Sequence, residues 1–85
     1  MALKKIKVMF GTECWYWKII SIGEDRISGT TTCTLGLYRD EVSRRENVNN
    51  YIDSQAYSFG GIKFSDAELY NLIKTQTDFL NSEDV

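Results

Sequence analysis

Cys14-Trp-Tyr-Trp-Lys-Ile-Ile-Ser-Ile22 holds both tryptophans of the chain and its densest run of strand-forming side chains. Read with a period of two, it predicts a central strand with Trp15, Trp17, Ile19 and Ser21 on one face and Tyr16, Lys18, Ile20 and Ile22 on the other. Neither face is clearly polar. A strand of this kind must be covered on both sides, so the reading asks for a second layer on each face.

Outward from this stretch, Lys4 to Phe10 alternates Lys5, Lys7 and Met9 with Ile6, Val8 and Phe10. The pattern predicts a half-buried edge strand with Ile6, Val8 and Phe10 inward, joined to the central strand through Gly11-Thr12-Glu13. Gly23-Glu24-Asp25 predicts the next turn. After it, Arg26 to Tyr38 sets an aliphatic face of Ile27, Cys33, Leu35 and Leu37 against a hydroxyl ladder of Ser28, Thr30, Thr32 and Thr34 with Tyr38. Three antiparallel strands in meander order result.

Arg39 to Asp53 lacks Gly and Pro and predicts a helix with only a thin apolar stripe of Val42, Val48, Tyr51 and Ile52; Asn47, Asn49 and Asn50 weaken its end, and the chain leaves it near there or shortly after Asp53. Tyr57 and Phe59, Gly60-Gly61, then Ile62 and Phe64 read as a tight hairpin, or else as a loop with a bent extended segment. Ser65-Asp-Ala-Glu68 matches a capping box and starts a helix at Asp66. At 100° per residue Leu69, Leu72, Ile73, Phe79 and Leu80 gather on one side, with Tyr70 at the margin. The expected fold is therefore α+β: an antiparallel sheet of three to five strands on a C-terminal amphipathic helix, with a second shorter helix. Residues 1–81 form one domain in this reading, and residues 82–85 are an acidic tail.

With 85 residues, the chain can build one modest core, and oligomerisation would add to its stability. No apolar run approaches the roughly 18 residues of a membrane span, and the lysines at the N-terminus are not followed by the apolar segment of a secretory signal. A cytoplasmic protein is expected. Cys14 and Cys33 could be bridged if their strands are neighbours, but buried thiols acting as small core hydrophobes are the favoured reading. A net charge of −2 argues against strong binding to nucleic-acid polymers. The charge is uneven, however, because residues 1–46 hold eight Lys and Arg against six acids, leaving a local basic patch open.

Histidine is absent, which removes the commonest general base and metal ligand, and the two cysteines form no Cys-x-x-Cys pair. No enzyme, metal or cofactor is expected. Gly60-Gly-Ile-Lys-Phe-Ser65 matches a phosphate loop poorly, since Lys63 is followed by Phe64 and Ser65 already serves as a cap. The candidate binding residues are Trp15, Tyr16, Trp17 and Lys18, aromatics with a cation alongside, and the arginines Arg39, Arg44 and Arg45. Each has a plainer role beside it: core packing for the aromatics, and an i, i+4 pairing of Glu41 with Arg45 for the helix.

These features favour a small non-enzymatic protein-interaction module, of the kind a phage or mobile element uses to inhibit a host protein. They also favour a homodimer through the sheet face that the C-terminal helix leaves bare. A small binder of nucleotides or single-stranded nucleic acid, stacking on the aromatics and holding phosphates with Lys and Arg, is the alternative.

Overall fold

Five antiparallel strands form one sheet in the computed structural model, which describes residues 2–85. Strand β1 is Leu3–Met9, β2 Thr12–Asp25, β3 Thr30–Tyr38, β4 Asp53–Gly60 and β5 Glu83–Asp84, in the spatial order β4-β3-β2-β1-β5. Helix α1 spans Glu41–Glu46, α2 spans Asp66–Ile73, and a 3₁₀ turn covers Thr77–Phe79. The α+β class and the antiparallel sheet agree with the sequence reading.

The central stretch lies in β2, between β1 and β3 as expected. Its period-two alternation breaks at Ile20. Ile19 stands opposite Leu35 while Ser21 stands opposite Thr34, so Ile20 is the extra residue of a β-bulge. Beyond the bulge Ile22, rather than Ser21, is the partner of Cys33.

One face of the sheet carries the main core. Trp17, Cys33, Leu35 and Leu37 are buried there beneath Leu69, Tyr70 and Ile73 of α2 and Phe79 of the 3₁₀ turn. The Trp17 and Phe79 rings meet edge to face at 5.0 Å, and Tyr57 meets Phe79 at 5.9 Å. The capping box at Ser65 is present in both directions, with the Glu68 amide donating to the Ser65 hydroxyl and the Ser65 amide donating to the Glu68 carboxylate.

Four local expectations are corrected. The second helix is short and lies mid-chain, ending at Ile73, because the Thr75 amide and hydroxyl and the Gln76 amide close the last turn onto Leu72 and Ile73. Leu80 is consequently 49% exposed, Leu72 is only half-buried, and Tyr70 moves from the margin into the core. The first helix, expected from Arg39, starts at Glu41 under Asp40, whose carboxylate accepts from the Ser43 amide, and stops after six residues at Glu46, just before the asparagines that weaken its end. Residues 56–65 form no hairpin, because residues 53–60 instead pair without a break along the free edge of β3. Past Gly61, at φ +113°, the chain turns so that Phe64 packs on the core.

The fourth correction concerns β1, whose inward face is the reverse of the expected one. Ile6, Val8 and Phe10 are 57%, 62% and 90% exposed, while Lys5, Lys7 and Met9 are half-buried. A bulge between Lys4 and Lys7 takes Lys5 and Ile6 out of register with β2, and the Trp17 indole N–H donates to the freed Lys5 carbonyl at 3.0 Å. Both inward lysines find oxygen partners, Lys5 the carbonyl of Leu80 and Lys7 the carboxylate of Asp53. Since β1 and β4 are separated by two strands, the Lys7–Asp53 pair shows that the sheet coils towards its helix-covered side. Glu83 and Asp84, at the end of the chain, pair with Lys4 and Leu3.

Candidate functional site: the sheet face opposite the second helix

The other sheet face is covered by residues 39–52, an arch rather than a packed helix. Its start is capped locally by Asp40, while its middle is pinned to the sheet by the Tyr38 hydroxyl, which donates to the Val48 carbonyl, and its end by the Ile52 amide, which donates to the Leu37 carbonyl. Beneath it Ala2, Tyr16 and Tyr38 form a small second cluster with Trp15 and Ile20 packed against them. Gly36 allows the arch to come this close. A Cβ there would stand 3.0 Å from Ile20 Cγ2 and 3.1 Å from Tyr51 Cβ. The bare face expected from the sequence is therefore half covered, and what remains open divides into three parts.

The first part is the exposed side of β1 and its turn. Met9 pairs with Thr12 across a two-residue loop in which Phe10 and Gly11 have φ of +53° and +76°. Positive φ at both positions is the requirement of a type I′ turn, for which Asn, Asp and Gly are the favoured residues. A phenylalanine in this conformation is strained, and at 90% exposure it recovers little by burial. Val8 and Ile6 continue the apolar line away from the turn, ending near Lys4, whose ammonium lies 5.4 Å from the Trp15 ring.

The second part is a pocket of about 480 Å³ under the arch, lined by residues that include Ser21, Thr34, Tyr38, Arg44, Asn49 and Tyr51. The third is a flat polar strip where Thr32 and Ser58 share a hydroxyl hydrogen bond of 2.8 Å.

The structure scatters the sequence-predicted site residues. Trp17 is in the main core, Tyr16 is in the small cluster with its ring 6.5 Å from Tyr38, and Trp15 and Lys18 are half-buried. Arg39 pairs with Asp40 at 3.5 Å and Arg45 with Glu41 at 3.4 Å, the i, i+4 contact read from the sequence. Arg44 alone of the three lines the pocket. Cys14 and Cys33 are free and buried, and burial pushes both thiols up from their ordinary values. No group of three or more acidic or thiol side chains that could hold a metal occurs among the described residues, and no helix is long and apolar enough to cross a membrane.

Sequence reasoning missed Phe10 as an exposed residue. The available signal was its place directly before Gly11, where a two-residue turn leaves a side chain no interior to enter. Comparison with family models, with curated proteins and with solved structures finds no match to this chain.

Proposed function

We propose that the protein is a small non-enzymatic interaction module that docks on another protein through the apolar line Ile6, Val8 and Phe10. The observation that carries this reading is Phe10, a large apolar side chain held in a left-handed turn conformation and 90% exposed. Strained residues without an internal reward concentrate at functional surfaces. Aromatic anchors surrounded by smaller apolar contacts are the usual hot spots of protein interfaces. Its neighbours extend the patch along a strand whose outer edge beyond Lys4 is not covered by β5, leaving main-chain groups for a partner as well.

The test is a pair of variants, Phe10→Asn and Val8→Lys, used as bait beside the wild-type protein. Asn is suited to the turn position, so Phe10→Asn keeps the fold while removing the anchor. A partner, or a second copy of this chain detected by light scattering, should be retained by the wild type and lost from both variants. Equal retention by both would overturn the reading.

A further inference from the structure

The pocket under the arch gathers hydrogen-bonding side chains that the protein itself leaves unused. The Arg44 side chain makes no ion pair and no hydrogen bond with a described residue, and its Nε is buried without a partner. The acids three and four positions before it are engaged elsewhere, Glu41 by Arg45 and Asp40 by Arg39. Among the described residues, Arg44 is the only charged side chain lining the pocket. Ser21, Thr34, Tyr51 and Asn49 line the same pocket, again with no side-chain hydrogen bond to a described residue. Elsewhere on the sheet comparable groups satisfy one another, as Thr32 with Ser58, Ser28 with Thr30, and Tyr57 with Gln55. Five unused groups thus line this one pocket, while Ser82 Oγ, also buried without a partner, lies outside it.

All five groups can donate a hydrogen bond, and among the described residues no carboxylate lines the pocket with them. A buried N–H without any acceptor is a standing cost that an acceptor from outside would remove. Arginine presents its donors as a planar fork matched to carboxylate and phosphate oxygens. Tyr38, Ile20 and Val48 supply apolar walls, and the volume falls in the range of small-molecule sites. We propose that this pocket binds a small organic oxyanion, a molecule with one carboxylate or phosphate group and a compact apolar body. Arg44 turns its fork into the cavity to hold the charged group, and the apolar body rests against Tyr38.

Titration of ¹⁵N-labelled protein with benzoate, phenyl phosphate and neutral benzamide, at constant ionic strength, tests the proposal. Benzoate or phenyl phosphate should move the Arg44 Nε–H resonance and the Ser21, Thr34 and Asn49 amides in a saturable way, while benzamide should not. The tighter of the two identifies carboxylate or phosphate as the preferred group. Arg44→Gln should weaken binding at least about tenfold with the amide spectrum otherwise preserved. Should that variant not fold, Ser21→Ala with Tyr51→Phe should weaken it severalfold. Absence of saturable shifts up to roughly 10 mM, well above the millimolar range of weak ligands, would overturn the proposal. So would equal shifts with benzamide, or unchanged affinity in Arg44→Gln or in the double variant.

Discussion

The two faces of the sheet are closed by different means. On one, α2 and the 3₁₀ turn press Leu69, Tyr70, Ile73 and Phe79 onto Trp17, Leu35 and Leu37, and the contact is side chain to side chain. On the other, an arch of fourteen residues, 39–52, is fastened through its backbone at Val48 and Ile52. Dense apolar burial supplies most of the stability of a small domain, whereas hydrogen bonds contribute little net and mainly determine position. The helix-covered face therefore holds the protein together. The arch-covered face has room for a pocket and for exposed apolar side chains, so both proposed contact sites belong to it.

The strongest challenge to this contrast is removal of the aromatic contact under the helix. Trp17→Ala or Phe79→Ala should cost about 3–5 kcal/mol in urea melts, and Leu80→Ala, on the same segment but outward, should stay within about 0.5 kcal/mol. A near-neutral Phe79→Ala would mean that the two faces share the load.

Raising the pH should attack the same face. Burial holds the Tyr70 hydroxyl, which accepts from the Ile19 amide, at about 12. Burial, followed by the Asp78 carboxylate, does the same for Tyr57. Both folded values lie above the unfolded value near 10, so the neutral phenols favour the folded state fully below pH 10. That contribution is lost as the pH rises from about 10 to 12. Near-ultraviolet circular dichroism should show tertiary structure failing across that window, and Tyr70→Phe should shift the onset upward.

Smaller effects separate the helix cap from the arch. Ser65→Ala should lower global stability by about 0.5–2 kcal/mol, through loss of the N-cap acceptor. Tyr38→Phe should cost about 0.5–1.5 kcal/mol and should speed hydrogen exchange at Ile52 while leaving the α2 amides protected. Uniformly faster exchange would tie the arch to the core as one unit. The smallest expected change is a gain. Phe10→Asn should raise stability by up to about 1 kcal/mol, since Asn tolerates the left-handed turn and little burial is lost.

The parts of the molecule legible in the sequence are those governed by near neighbours. Ser65 and Glu68 lie within one turn of helix, so their reciprocal cap follows from four consecutive residues. Likewise Cys33, Leu35 and Leu37 on the aliphatic face of β3 follow from alternation inside a single strand, whereas Ile27, expected with them, is fully exposed in the turn that precedes it, the strand starting only at Thr30. Helical spacing puts Leu69, Ile73 and Phe79 on one side, and all three are buried, although the helix stops at Ile73 and a 3₁₀ turn delivers Phe79.

Tertiary structure alone decided which side of β1 faces inward. Alternation shows that the two sides of a strand differ, and apolarity favours Ile6, Val8 and Phe10 for the interior. The bulge at Lys5–Ile6 and the oxygens of Leu80 and Asp53, contributed from 75 and 46 residues away, reverse that choice by giving the lysines partners. The extra residue at Ile20 is equally silent in the sequence, because a bulge exists only relative to the strand beside it. Arg39, Arg44 and Arg45 look alike along the chain. Local spacing pairs Arg45 with Glu41 and Arg39 with Asp40, but only the arch, closed down over Gly36, puts Arg44 at a pocket.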